Sequence, residues 1–203
     1  MEAFAAIDAE LARIAQIATA GYFVALRNRG TSPLMAFQTY PQAWIDEYTD
    51  NAYVLRDPIT TWALTIGGTI RWSSPFLPDP FRIFAKAAAR GLTYGASIAI
   101  GPIGALTICS VARADRELTD AEIAELREIV SGLHEMTRLP GELTPVQKEI
   151  LGVMAERLSV AASAERLGVS EAVVRQRTKQ VCTALFAQTP EVAVQRAKDY
   201  KLL

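Results

Sequence analysis

The stretch GLTYGASIAIGPIGALTICSVA, residues 91–112, runs for 22 residues without a charge. That length would cross a bilayer as a helix, or fold back on itself as two buried strands. Its composition decides between them. Gly91, Gly95, Gly101, Gly104 and Pro102 interrupt any helix. On either side of Gly101-Pro102-Ile103-Gly104 lie short runs rich in β-branched residues, so the stretch is predicted to be a buried hairpin, and no membrane partner is expected.

Working outward, a helix is expected over 80–90, closed by Gly91. Downstream, Thr119 and Glu122 form a capping box ahead of the apolar face Ile123, Leu126, Ile129, Val130 and Leu133. Upstream, strand signal surrounds Thr69–Trp72, Asp57-Pro58 reads as an N-cap with proline at the first helical position, and a helix fits Gln42–Asp50. Strands fit Gly21–Arg29 and Leu34–Thr39, after a first helix whose Phe4, Ile7, Leu11, Ile14 and Ile17 recur at helical spacing. Helices first, between and last around central strands predict an α+β protein, an α/β/α sandwich around an antiparallel sheet.

The chain has 203 residues, half of them apolar and 21% charged, which suits one domain plus a small second one. Its net charge of −1 advertises neither nucleic acid nor membrane globally, so any binding charge is local. Two distant cysteines, Cys109 and Cys182, and a start without secretory character predict a reduced, cytoplasmic protein. His134 is the only histidine, which excludes a histidine-rich metal site, and no cofactor or metal is expected. Ser-His-Asp or Cys-His catalysis would have to use His134, read here as a half-exposed residue on the capping-box helix. An enzyme is therefore not expected.

Charge divides unevenly: residues 1–142 carry net −4 and residues 143–203 net +3. The change falls at Leu139-Pro140-Gly141-Glu142, a helix-stopping connector, giving domains over 1–138 and 143–203 with a linker over 139–142. The second domain reads as four short helices. Thr144, Pro145 and Gln147 open the first, Ser159 caps the second, Gly168 closes it, Ser170 caps the third, and Thr189-Pro190 opens the fourth. Two capped helices joined by a glycine turn are a helix-turn-helix arrangement.

The third of these helices carries Arg175, Gln176, Arg177, Lys179 and Gln180, with Val173, Val174, Val181 and Leu185 as a packing stripe. Such a helix fits the major groove of double-stranded DNA, with arginine reading guanine, glutamine reading adenine, and Arg177 and Lys179 suited equally to phosphates. A solvated face on a small helical domain is the alternative. One module binds weakly, so a homodimer on a two-fold symmetric operator is implied.

A second constellation is Tyr40, Trp44, Tyr48, Tyr53, Asp57, Trp62 and Trp72. Trp44 and Tyr48 share one helix face. Buried indole and phenol tips need polar partners, and Asp57 could accept from an amide N–H or serve solely as a helix cap in a packed core.

The segment Tyr40-Pro41-Gln42-Ala43-Trp44, then Tyr48, Tyr53 and Asp57-Pro58, with Trp72 downstream, resembles the autoinducer-binding domain of LuxR-type quorum-sensing regulators. Leu143-Thr144-Pro145, Glu149, Leu151, Ala164-Glu165-Arg166-Leu167-Gly168-Val169-Ser170 and Val173-Val174-Arg175 resemble that family's DNA-binding domain. The resemblance implies an N-acyl-homoserine lactone as ligand. Trp44 would donate to the lactone carbonyl, Asp57 accept from the amide N–H and Tyr48 donate to the amide carbonyl. Tyr40 and Ser110 would line the site near the amide, and Trp72 would pack on the ring. It also implies DNA contacts from Ser170, Arg175, Gln176, Arg177 and Lys179. Leu126, Ile129 and Leu133 on the helix over 119–139 are expected to form the dimer contact.

Three departures from the family pattern stand out. The chain is shorter than members tend to be, in N-terminal and pocket-side loops, which bears on acyl-chain selectivity. Ser159-Val160-Ala161-Ala162-Ser163-Ala164 replaces a more polar segment, and Arg157-Leu158 stands where a glycine stop is usual. A receptor for another small molecule, or an antiactivator with weak DNA binding, is the alternative reading.

Overall fold

The computed structural model describes residues 2–29 and 32–203, which form two compact units, 1–137 and 138–203. In the first, α1 (Glu2–Ile17) leads into β1 (Gly21–Asn28) and β2 (Met35–Gln38). Then come α2 (Gln42–Asp50), a 3₁₀ turn (Tyr53–Leu55), α3 (Pro58–Thr65) and β3 (Gly68–Arg71). After α4 (Ile83–Ala88), the uncharged stretch forms β4 (Tyr94–Ile100) and β5 (Leu106–Arg113), and α5 (Asp120–Met136) closes the unit. The hairpin is thus present, and no helix among the described residues is long and apolar enough to cross a membrane.

The sheet order is β2-β1-β5-β4-β3, and every pair is antiparallel. Strand alternation splits central β5 between two layers. Leu106 and Ala112 meet α2, α3 and α4, whereas Thr107 bonds His134 of α5. The capping box is formed in full, with Thr119 accepting from Glu122 N and the Glu122 carboxylate returning to Thr119 N.

Three expectations are corrected. The helix expected over 80–90 begins only at Ile83. Arg82 takes a left-handed φ of 56°, and the Asp79 carboxylate, 2.8 Å from both Ile83 N and Phe84 N, caps the helix there. His134 is buried rather than half-exposed. Its Nδ1 lies 2.8 Å from Thr107 Oγ1, and the buried Arg27 guanidinium bonds its carbonyl, a cation at a helix C-terminus. Leu126, Ile129 and Leu133 are at most 2% exposed within this one chain. The sheet and α1 already use them, so they do not form a dimer contact.

The second unit contains α6 (Pro145–Ala155), α7 (Val160–Leu167), α8 (Glu171–Ala184) and α9 (Pro190–Asp199). The side chains of Thr144, Ser159, Ser170 and Thr189 each cap the helix they precede. The packing stripe of α8 is formed by Val174, Val181 and Leu185, which share a core with Ile150, Leu151 and Ala193.

Helices α6 and α7 end in the same hydrogen-bond geometry with different residues. Leu158 N reaches back to Val153 O (3.2 Å) as Val169 N does to Ala164 O (3.0 Å), both of which require a left-handed residue in between. Gly168 supplies it at φ 63° without strain, but Arg157 supplies it at φ 55° with a Cβ that crowds its own carbonyl. Arg157→Gly is therefore expected to stabilise the protein by about 0.5–1 kcal/mol after the gain in unfolded-chain entropy is deducted. The check is the urea midpoint of the second unit's transition in the full chain.

Candidate ligand-binding site

A cavity of about 690 Å³ lies within the first unit, between the sheet and helices α2, α3 and α4. Its floor is the alternating face of the central strands: Phe23 and Ala25 of β1, and Leu106, Ile108 and Ser110 of β5. Register brings these into rows, with Phe23 opposite Ser110 and Ala25 opposite Ile108. Tyr40 meets Ser110 at one end of this floor, Ala25, Ile108 and Leu106 make it apolar beyond, and Asn28 stands opposite Leu106 at the other end.

Helix α2 presents Trp44 and Tyr48 one turn apart, with ring centroids 5.7 Å apart edge to face. The 3₁₀ turn sets Tyr53 against both, at 6.0 and 5.8 Å, a pattern that suits the positive edge and negative face of each ring. Lys86 lies 4.7 Å above the Tyr53 centroid and adds a cation–π contact. Trp44 is buried and lines the cavity. Its indole N–H has no hydrogen-bond partner among the described residues.

Asp57 does two things at once. As the N-cap of α3 it accepts from Ile59 N at 2.8 Å through Oδ1, and Tyr48 donates its phenol proton to Oδ2 at 2.7 Å. Burial holds the Asp57 carboxyl above its ordinary value of 3.8, with the Tyr48 and Ile59 hydrogen bonds pulling the other way. Burial and the adjacent carboxylate push the Tyr48 phenol far upward, so it remains a proton donor. A carboxyl raised in the folded state binds its proton more tightly when native. Its ionisation therefore withdraws stability as pH rises from 3.8 through the raised value, and the deficit is complete above that window.

Tyr40 donates its phenol proton to the Ser110 carbonyl at 2.8 Å. Trp72 donates its indole N–H to Ser97 Oγ at 3.0 Å and stacks on Phe84 with centroids 5.6 Å apart. Tyr40, Trp44, Tyr48, Asp57, Trp72 and Ser110 thus all line this one cavity. In this structure the Tyr48 phenol proton is given to Asp57 and the Tyr40 phenol proton to the Ser110 carbonyl. Trp62 belongs elsewhere, packed with Leu77 and Ala99. Ser97 is not singled out by the sequence and Gly95 only as a helix breaker, although a glycine inside a strand is itself a sign of close approach.

Ser170, Arg175, Gln176, Arg177 and Lys179 lie in the second unit. Ser170 caps α8, Arg175, Gln176 and Lys179 are exposed, and Arg177 is half-buried. Arg175 is paired one turn back with Glu171 at 2.6 Å. Among the described residues no group of three His, Cys, Asp or Glu side chains could hold a metal ion. Both cysteines are free, and burial pushes the Cys109 thiol up to about 12, which leaves it unreactive.

Comparison with known proteins gives the fold and the family. The chain is 26% identical to the HTH-type quorum-sensing regulator RhlR of Pseudomonas aeruginosa over 159 residues, which is 70% of this chain and 65% of RhlR. It is 25% identical to the transcriptional activator protein VanR of Vibrio anguillarum over 183 residues, 82% of this chain and 76% of VanR. Among solved structures, SdiA of Escherichia coli matches with a TM-score of 0.52 at 21% identity, over 97% of this chain and 90% of that one. SdiA in complex with octanoyl-rac-glycerol matches equally, with a TM-score of 0.52 at 20% identity over 98% and 88%. At these identities the structural likeness is one of fold. The model of the autoinducer-binding domain family matches residues 2–136, two thirds of the chain and the whole of the cavity, and the chain belongs to that family.

Proposed function

We propose that the protein is a cytoplasmic, LuxR-type quorum-sensing transcriptional regulator and not an enzyme. Residues 1–138 bind an N-acyl-homoserine lactone, 139–142 link, and 143–203 bind a two-fold symmetric operator as a homodimer through the helix-turn-helix of α7 and α8. The observation that carries the ligand assignment is the pairing, at one end of an apolar cavity, of a buried carboxylate with an unspent indole N–H. An amide N–H on Asp57 and a carbonyl on Trp44 Nε1 satisfy both, and an acyl tail fills the apolar floor. Tyr48 acts through Asp57, holding the carboxylate in place, while Tyr40 and Trp72 shape the wall. On α8, Lys179 and Arg177 suit phosphates, Arg175 and Gln176 suit base edges, and Ser170 holds the helix N-terminus.

Ligand binding would act through stability, since a ligand at 100 times its Kd stabilises the native state by about 2.7 kcal/mol. Thermal melts of the full chain against N-acyl-homoserine lactones of graded length are expected to show a chain-length-dependent rise in Tm, which Asp57→Asn abolishes. The same substitution removes a buried ionisation but leaves one acceptor oxygen for two donors, Ile59 N and the Tyr48 phenol, so the ligand-free Tm of the variant is measured beside it as the control for its fold. No shift with any lactone would favour a receptor for another small molecule, or an antiactivator.

For the second unit, Lys179→Ala is expected to weaken binding to any DNA duplex and to reduce the slope of log K against log salt by about 1. Fluorescence anisotropy over a salt series reads both, and an unchanged slope would remove Lys179 from the phosphate contacts.

A further inference from the structure

Trp72 stands one residue beyond β3, its backbone N–H bonded to Gly95 O at 2.8 Å. The indole lies flat across Gly95, where an added Cβ would sit 2.3 Å from Trp72 Cδ2. Only the missing side chain at Gly95 lets the ring reach along β4 to the diagonal neighbour Ser97, 3.0 Å from Nε1. Register places Ser97 directly opposite Ser110 of β5, with hydroxyl oxygens 2.8 Å apart. Ser110 lines the cavity, and Ser97, fully buried, does not.

The direction of this chain follows from its first member. An indole N–H can only donate, so Ser97 Oγ accepts from Trp72. The Ser97 proton then needs an acceptor, because a buried donor left unmade costs far more than a formed bond returns. Ser110 Oγ is the side-chain acceptor at bonding distance. In the reverse arrangement, with Ser110 donating to Ser97, the Ser97 oxygen would accept twice and its own proton would have no side-chain acceptor at bonding distance. Ser97 therefore donates to Ser110, and the Ser110 proton is released toward the cavity.

We propose that Trp72, Ser97 and Ser110 form a one-way hydrogen-bond relay that fixes the Ser110 hydroxyl as a donor to a carbonyl oxygen of the bound ligand. Ser97 is the positioning residue of the relay. The cavity then offers two donors, Trp44 Nε1 and Ser110 Oγ, and one acceptor, Asp57. The lactone reading already sets Ser110 near the ligand amide; what the relay adds is Ser97 as the residue that orders the Ser110 hydroxyl. The identity of the ligand rests on the lactone reading above, whereas the relay itself does not.

The test is a double-mutant cycle on the full chain, with the Kd of N-decanoyl-homoserine lactone measured by calorimetry. Ser97→Ala is expected to weaken binding about three- to tenfold in the wild-type background, the worth of one hydrogen bond. In the Ser110→Ala background it is expected to change binding less than twofold. Wild-type affinity in Ser97→Ala, or the same loss in both backgrounds, would overturn the proposal. A second measurement uses ligand-free wild-type protein and needs neither lactone binding nor a folded variant. By NMR, the indole N–H of Trp72 is expected to exchange with solvent at least tenfold more slowly than that of the unpartnered Trp44, and equal rates would overturn the relay. Failure of wild-type protein to bind the decanoyl lactone would count against the lactone reading, and the indole comparison would then decide the relay.

Discussion

The row Phe23, Ser110 and Ser97, held side by side across β1, β5 and β4, is the constraint on which the site depends. Strands alternate faces with a period of two, so sliding β5 by one residue would turn Ser110 to the face covered by α5 and bring Cys109 or Val111 to the cavity. The register is held on the other face. Thr107 accepts from the backbone N–H of Arg27 and bonds His134, while the Arg27 guanidinium bonds the His134 carbonyl at the end of α5. Arg27 stands in the bulge between Ala25 and Asn28, at a left-handed φ of 49°. A bulge fixes register because it accommodates one extra residue at one place only. One buried polar cluster beneath the sheet thus keeps the polar end of the cavity in place above it.

Asp57 shows how local helix chemistry and ligand chemistry share one side chain. An N-cap needs a small acceptor at the first residue before the helix, and Asp57-Pro58 meets that need from sequence alone. The cap leaves the second carboxylate oxygen for Tyr48, and the side chain lines the cavity. A solvated cap would do no more than start α3. Burial makes the same carboxylate costly to ionise, and in the proposed site the ligand's N–H would relieve that cost.

The elements with strong punctuation were legible in the sequence. The capping boxes at Thr119 and Thr144, the caps at Ser159, Ser170 and Thr189, and the glycine close of α7 depend on two to four neighbouring residues, and they are present as read. The aromatic residues that converge on the cavity were legible through their spacing and through resemblance, although nothing local separates Trp62, which packs elsewhere, from Trp44 and Trp72. What sequence did not reveal depends on long-range partners. The delayed start of α4 reflects the backbone at Arg82, the burial of His134 depends on Thr107 and Arg27, and the two phenol protons are captured by groups 9 and 70 residues away. The apolar face of α5 was legible as apolar, but periodicity does not say whether a sheet or a second chain covers it.

The two serines carry this point further. Serine in a buried strand ordinarily loses to valine, because its hydroxyl must be satisfied where every backbone group is already engaged. Ser97 and Ser110 satisfy one another across the ladder and draw a third partner from Trp72, and that partner is available only because position 95 has no side chain. An alanine at Gly95 would displace the indole, and with it the donor that orders both hydroxyls. The missing Cβ on β4 and the orientation of a hydroxyl on β5 are therefore one structural fact, which is why neither residue signals its part when read alone.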